Sequence, residues 1–267
     1  MNFNMNKFGI TIKKNKLGLT EGACYTAKPV EWFRFDSVDE KNRFVQGGCF
    51  TGASFIIAFI ENDNEESRVK LAEIGTDGKF IRTSQPLDLD HANNLAYNTN
   101  RGEIIVSHCQ QNGDDRYSYY SFVDPATFEI TEAGELERPF FSIGYSFERE
   151  LYGSGEWCGG TIDVWDKNLS LLRSFKVETP ETLSQGVWCD DCGIWFVRSS
   201  QYGYPCEIRV YDWENGSLKF QIPIDDMEVE PENLTVYGEE AYIVCNNKEY
   251  NGGIVYKLSF TKENIIK

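Results

Sequence analysis

Long apolar runs are missing from this chain. The longest, Phe55–Ile60, is far short of the roughly 20 residues a membrane-crossing helix needs, so membrane helices are not expected. Clustered cations are missing too. Lys and Arg number 26 against 42 Asp and Glu, a net charge of −16 with no basic stripe. Phosphate backbones and anionic lipids are held by clustered positive charge, so nucleic acid and membrane surfaces are poor partners. Helical periodicity is nearly absent. No nucleophile elbow, P-loop, dinucleotide-binding glycine motif, zinc-protease motif or EF-hand loop appears. The N-terminal stretch MNFNMNKFGITIKKNKLG has no apolar core and no small-residue cleavage site, so a secretory signal is not read there and a cytoplasmic, monomeric protein is expected. With no signal, the eight cysteines read as reduced, small apolar fillers rather than a disulfide framework.

What is present is a repeat. A polar-to-apolar segment occurs five times: QGGCFTG at Gln46, HANNLAYN at His91, SIGYSFE at Ser142, SQGVWCDD at Ser184 and EPENLTVYG at Glu230. A short apolar strand follows each, then a third strand usually ending in a turn. Aligning Ile56, Ile104, Leu151, Trp195 and Tyr242 gives steps of 48, 47, 44 and 47 residues. Several strands per unit at that period predict an all-β, five-bladed β-propeller. Turn chemistry at Thr76-Asp77-Gly78, Asp124-Pro125, Asp166-Lys167-Asn168 and Glu214-Asn215-Gly216 separates the third strands from fourth strands predicted at 80–89, 128–137, 171–178 and 218–225. The fifth phrase has no fourth strand of its own. A strand at 30–38, following an N-terminal arm over 1–29, supplies it and closes the ring. The whole chain, 1–267, then forms one domain. A faint echo of the repeat at Glu21–Thr26 leaves a degenerate sixth blade as the alternative.

In such a ring the first strand of every blade lines a central channel. The starts of first strands and the ends of second strands share one mouth. Gln46, His91, Asn94, Gln185, Glu230, Glu232 and Asn233 fall at the starts. His108, Gln110, Glu156, Ser199 and Asn246 fall at the ends. Polar side chains opening apolar strands either bond to one another and cap the channel or bind a ligand, because burying them unpaired costs about 1–3 kcal/mol each. The chain has only two histidines, and the repeat places His91 and His108 together in the second unit, where neutral imidazole suits a general base or a metal ligand. Aromatic residues recur in loops on that face: Tyr117, Trp157, Tyr202 with Tyr204, and Tyr250. Flat rings beside polar groups suit sugar faces. Cys189-Asp190-Asp191-Cys192 resembles half a zinc site, but no second pair completes it, and a β-turn carrying two buried thiols is the favoured account.

The phrases QGGCFTG, LDHANNLAYN and VSHCQ resemble those of bacterial five-bladed β-propellers. More loosely, the chain is similar to the group containing gluconolactonases and strictosidine-synthase-like proteins. The lactonase resemblance implies a divalent metal in the channel held by a Glu, an Asn and an Asp; Asn94 and Glu232 match in kind, whereas Gln46 stands where an acid would be expected. Three readings follow. The first is binding of a small polar ligand such as a carbohydrate or glycoconjugate, through Gln46, Asn94, Gln110, Trp157, Gln185, Tyr202, Asn233 and Asn246. The second is a hydrolase or lyase acting on a sugar or lactone, with His91 or His108 as base and Glu232 as acid. The third is a protein-interaction scaffold.

Overall fold

Val, Ile, Phe, Tyr and Trp clustered between Gly, Asn, Asp and Pro favour strands, because branched and aromatic side chains pack well on a pleated surface. In a computed structural model, which describes residues 15–61, 68–108, 118–200, 203–247 and 251–263, these runs form 20 strands. Among the described residues there is no helix, hence none long and apolar enough to cross a membrane.

The strands are β1 (Tyr25–Asp36), β2 (Asn42–Phe50), β3 (Phe55–Glu61), β4 (Lys70–Ile74), β5 (Phe80–Thr83), β6 (Asn94–Asn98), β7 (Glu103–Ser107), β8 (Tyr119–Val123), β9 (Ile130–Glu135), β10 (Ser142–Ser146), β11 (Leu151–Gly155), β12 (Thr161–Trp165), β13 (Leu171–Lys176), β14 (Leu183–Cys189), β15 (Ile194–Ser200), β16 (Gly203–Tyr211), β17 (Leu218–Ile224), β18 (Glu230–Tyr237), β19 (Glu240–Asn247) and β20 (Gly252–Lys262). Strands β2–β5, β6–β9 and β10–β13 form three four-stranded antiparallel sheets. The remaining eight strands form one sheet in the order β14-β15-β16-β17-β1-β20-β19-β18. It is two meanders joined by a single parallel bridge, Ala27 to Ile224, beside which the Asp225 N–H donates to the Ala27 carbonyl at 2.8 Å.

β1 pairs antiparallel with β20 from Tyr25–Lys262 to Asp36–Gly252, with a bulge at Trp32. It starts at Tyr25, where the sequence pattern places the closing strand at 30–38. Tyr25 and Thr26 of the faint repeat echo lie inside β1, and residues 21–24 form no strand. The fourth strands also stop earlier than the pattern suggests, at Thr83, Glu135, Lys176 and Ile224. The turns follow their chemistry. Asp124, Asp166 and Asp212 each accept a backbone N–H two residues on, at 2.7–2.8 Å, as Asx turns do.

The first strands β2, β6, β10, β14 and β18 pack in succession, and β18 packs back on β2. The apolar core is divided in the same cyclic way. One cluster lies between β2–β5 and β6–β9 (Ile56, Leu71, Ile104, Val106). The next joins the second and third sheets (Ile105, Phe122, Tyr152, Trp165). A third joins β10–β13 to β14–β17 (Val164, Val187, Phe196, Trp213). A fourth lies between β14–β17 and the last meander (Val197, Ile208, Ile243, Cys245), and the fifth returns to the start (Phe35, Phe55, Phe59, Val244). Repeated four-stranded sheets packed face to face around a common set of inner strands make this an all-β propeller. No disulfide joins any of the described cysteines.

Candidate functional site

The inner strands crowd together, and two asparagines use that closeness. Asn94, on β6, accepts at Oδ1 from the Ile143 and Val187 N–H groups, both at 3.0 Å. Asn233, on β18, donates from Nδ2 to the Gly48 and Leu95 carbonyls at 2.6 and 2.7 Å and accepts from the Leu234 N–H at 2.9 Å. Between them the two amides reach all five inner strands, and both residues are fully buried. This layer crosses the channel, with the strand starts on one side of it and the strand ends on the other.

On the starting side, three inner strands carry a bulge at corresponding positions. The ladder shifts at Gln46 in β2, at Gln185 in β14 and at Glu232 in β18. A bulged residue leaves the regular alternation and is re-aimed. Gln185 donates to Ser199 Oγ at 2.9 Å and reaches Glu230 Oε1 at 3.4 Å. Glu232 is buried and Gln46 is half-buried. Ser142 and Ser184 share a hydroxyl contact at 3.3 Å. Asn246, 2% exposed, accepts a long 3.4 Å bond from the Val45 N–H, and its Nδ2 has no partner. Trp157 lies on the loop between β11 and β12. Its carbonyl accepts from the Ser184 N–H at 2.8 Å, which ties the loop to an inner strand, while its ring is 41% exposed and lies 6.1 Å from that of Phe141. Gln110, Tyr202, Tyr117 and Tyr250 lie outside the described residues.

The histidines have different surroundings. His91 sits between Asp90 and Ala92, both at positive φ (51° and 47°), a conformation that costs a non-glycine residue about 1–2 kcal/mol. Its Nδ1 is shut off from solvent without a hydrogen-bond partner, and burial holds the imidazole down at about 4. His108 is buried, with Nε2 at 3.0 Å from Ser121 Oγ on β8.

A lactonase-like metal does not fit these residues. Both lone-pair directions of Asn94 Oδ1 are taken by backbone N–H groups, so that oxygen is not available as a ligand. Among the described residues no group of three His, Cys, Asp or Glu is arranged to hold a metal.

Sequence reasoning missed the other end of the channel. Past the asparagine layer, the ends of the five inner strands enclose a cavity of about 110 Å³, walled by Phe50, Tyr97, Tyr145, Trp188 and Val236 among others. Lys16, from the segment preceding β1, reaches its rim and pairs with Glu148 at 2.5 Å. No motif announces it, because each strand contributes only one to three apolar residues that look like ordinary core. Asp190, in the Cys-Asp-Asp-Cys turn, likewise carries no signal of its own in the sequence. It is fully buried. Its Oδ1 accepts from the Cys192 and Gly193 N–H groups and from Trp195 Nε1, each at 2.9 Å, and its Oδ2 has no partner. Burial, only partly countered by these bonds, pushes the carboxyl up to about 6. The flanking thiols face different clusters, Cys189 toward the third sheet and Cys192 toward the last meander.

No family model matches the chain, and no curated protein matches it. Similar solved structures include the WD40 domain of Neurospora crassa Pan2, at 15% identity and TM-score 0.40, covering 79% of this chain and 62% of that one. Another is the hydrazine synthase of Kuenenia stuttgartiensis, at 13% identity and TM-score 0.47, covering 85% of this chain and 64% of that one. The chain thus spans less than two thirds of either.

Proposed function

We propose that the protein is a five-bladed β-propeller that binds a small polar ligand, a carbohydrate or glycoconjugate, at the channel end where the inner strands begin. The blade count is supported by the five inner strands packing in a closed cycle and by the five apolar clusters between successive sheets. The observation that carries the binding reading is a set of unmet polar groups and an exposed ring at one end of the channel. Asn246 Nδ2 and His91 Nδ1 are buried without partners, and an unmet donor or acceptor costs about 1–3 kcal/mol until something bonds to it. Trp157 offers a flat face at the same end, the geometry with which proteins stack on sugar rings. Gln46 and Gln185 supply further amide groups, and Glu232 a carboxylate.

Proton abstraction by His91 is the weaker reading. An imidazole held at about 4 is neutral at pH 7 but a feeble base, since general bases work best near the operating pH. The test is glycan-array binding followed by calorimetry on the hits. Trp157→Ala is expected to weaken binding at least 10-fold, and Asn246→Ala to weaken it about 5-fold, as for one lost hydrogen bond. Retention of full affinity in both variants, or no glycan bound at all, would defeat the proposal.

A further inference from the structure

The cavity at the opposite end of the channel belongs to neither the polar mouth nor the asparagine layer, and its construction is different. Five aromatic residues line it, Phe50, Tyr97, Tyr145, Phe147 and Trp188, and three of these rings are held by neighbours. Tyr145 OH accepts from Asn100 Nδ2 at 2.7 Å. Trp188 packs edge-on against Trp195 at 5.6 Å, and Phe50 against Tyr237 at 4.8 Å. A pocket whose walls are already fixed loses little entropy on binding. The two cysteines that line it, Cys49 and Cys189, are buried, and burial raises both thiols so that they stay protonated and neutral. The charges at the site are Lys16 and Glu148, which pair with each other at the rim.

An ion entering this cavity would lose its hydration and find no free counter-charge, a cost of several kcal/mol. A neutral occupant avoids it. At about 110 Å³ the space equals three to four liquid waters at about 30 Å³ each, which is the scale of one six-membered ring. Ring walls favour a flat, polarizable occupant. Among the polar groups that line it, which include Thr99, Tyr97 and Tyr145, Thr235 is a buried threonine: its Oγ1 accepts from the Phe50 N–H at 3.1 Å, which leaves the hydroxyl proton available for donation to an oxygen.

We propose that this cavity is a second, separate binding site that takes a neutral planar ring bearing one oxygen acceptor, the phenol class, with the Lys16–Glu148 pair across its entrance. The site stands independently of the polar mouth.

The probe is 4-fluorophenol, followed by ¹⁹F NMR titration of the full-length protein. A saturable change in the probe's resonance at roughly millimolar concentration is expected, within reach of so small a ligand. Val236→Trp fills the cavity from the partly exposed end of β18 and is expected to abolish the response. His91→Gln, at the opposite end, is expected to leave it unchanged. Thr235→Val removes the hydroxyl donor and is expected to weaken binding about 5-fold, the fold-change of one ordinary hydrogen bond; it serves as the decisive variant should Val236→Trp fail to fold. Absence of a saturable response in the wild type overturns the proposal. So does a response that survives the filling variant, is indifferent to Thr235→Val, or disappears in His91→Gln.

Discussion

At the scale of single residues, the polar side chains opening the inner strands divide by whether their hydrogen bonds are already made. Asn233 bonds through Nδ2 to two strands and through Oδ1 to its own chain. Truncation to alanine would orphan the Gly48 carbonyl and the Leu234 N–H inside the molecule, while the Leu95 carbonyl keeps the Asn94 Nδ2 donor at 3.2 Å. Each buried orphan costs about 1–3 kcal/mol, so Asn233→Ala is expected to lose at least about 2 kcal/mol in urea unfolding. Asn246 is equally buried but makes only one long bond of 3.4 Å. Asn246→Ala is expected to cost about 1 kcal/mol or less, because a bond that long and an unpartnered donor contribute little. Equal losses in the two variants would contradict this division. The same contrast separates the pair by role. Asn233, like Asn94, holds the ring together, whereas Asn246 carries a buried donor that bonds to nothing within the fold.

At the scale of elements, the inner strands need residues that let backbones approach. A Cβ added at Gly186 would lie 2.4 Å from Asn233 Oδ1 and 2.8 Å from the Glu232 carbonyl. The contacted atoms are backbone and a fixed amide, so neither yields. Gly186→Ala is therefore expected to cost more than about 2 kcal/mol, toward the upper range for overpacking. Gly238, on the β18–β19 turn, has φ +62° and open space around it. Gly238→Ala is expected to cost about 1 kcal/mol, from the left-handed backbone alone. Thermal melts of the two variants compare them directly, and a milder effect at Gly186 would refute the crowding argument. Much at this scale was legible in the sequence. The strand runs follow from Val, Ile and aromatic clustering, and the turns from Asp124, Asp166 and Glu214-Asn215-Gly216, although the Asx cap of the last, Asp212, emerges only in the structure. The glycines after Gln46 and Gln185 marked the inner strands without disclosing why. The bulges at Gln46, Gln185 and Glu232 were not legible, because a bulge is set by the register with a partner strand and not by the residue itself. The second cavity was hidden for a related reason. Phe50, Tyr145 and Trp188 are far apart in sequence, and only ring closure makes them neighbours.

At the scale of the whole molecule, pH acts in opposite senses on two groups at different places, His91 and Asp190. His91, on the starting side, is held at about 4 against an ordinary value of about 6.5. Its neutral form is the one the fold accepts, so stability is intact above about 6.5 and is lost as pH falls through that window toward 4. Asp190, in the β14–β15 turn, is pushed to about 6 from an ordinary value near 3.9. Its charged form is the one the fold resists, so stability rises as pH falls through 6 and the carboxyl takes up its proton. A group displaced by about two pH units changes stability by about 2.7 kcal/mol across its window, and the two contributions nearly cancel between pH 6.5 and 4.5. Asp39, Glu73, Glu207 and Asp212, held low by their partners, protonate mainly below that window. Asp190→Asn removes the rising contribution, so this variant should be more stable than wild type at pH 7 and lose that advantage on acidification. His91→Gln removes the falling one, so its stability relative to wild type should climb by about 2 kcal/mol from pH 6.5 to 4.5. Urea unfolding at pH 7, 5.5 and 4.5 reads both slopes. Parallel profiles for wild type and both variants would mean that neither group is held away from its ordinary titration by the fold.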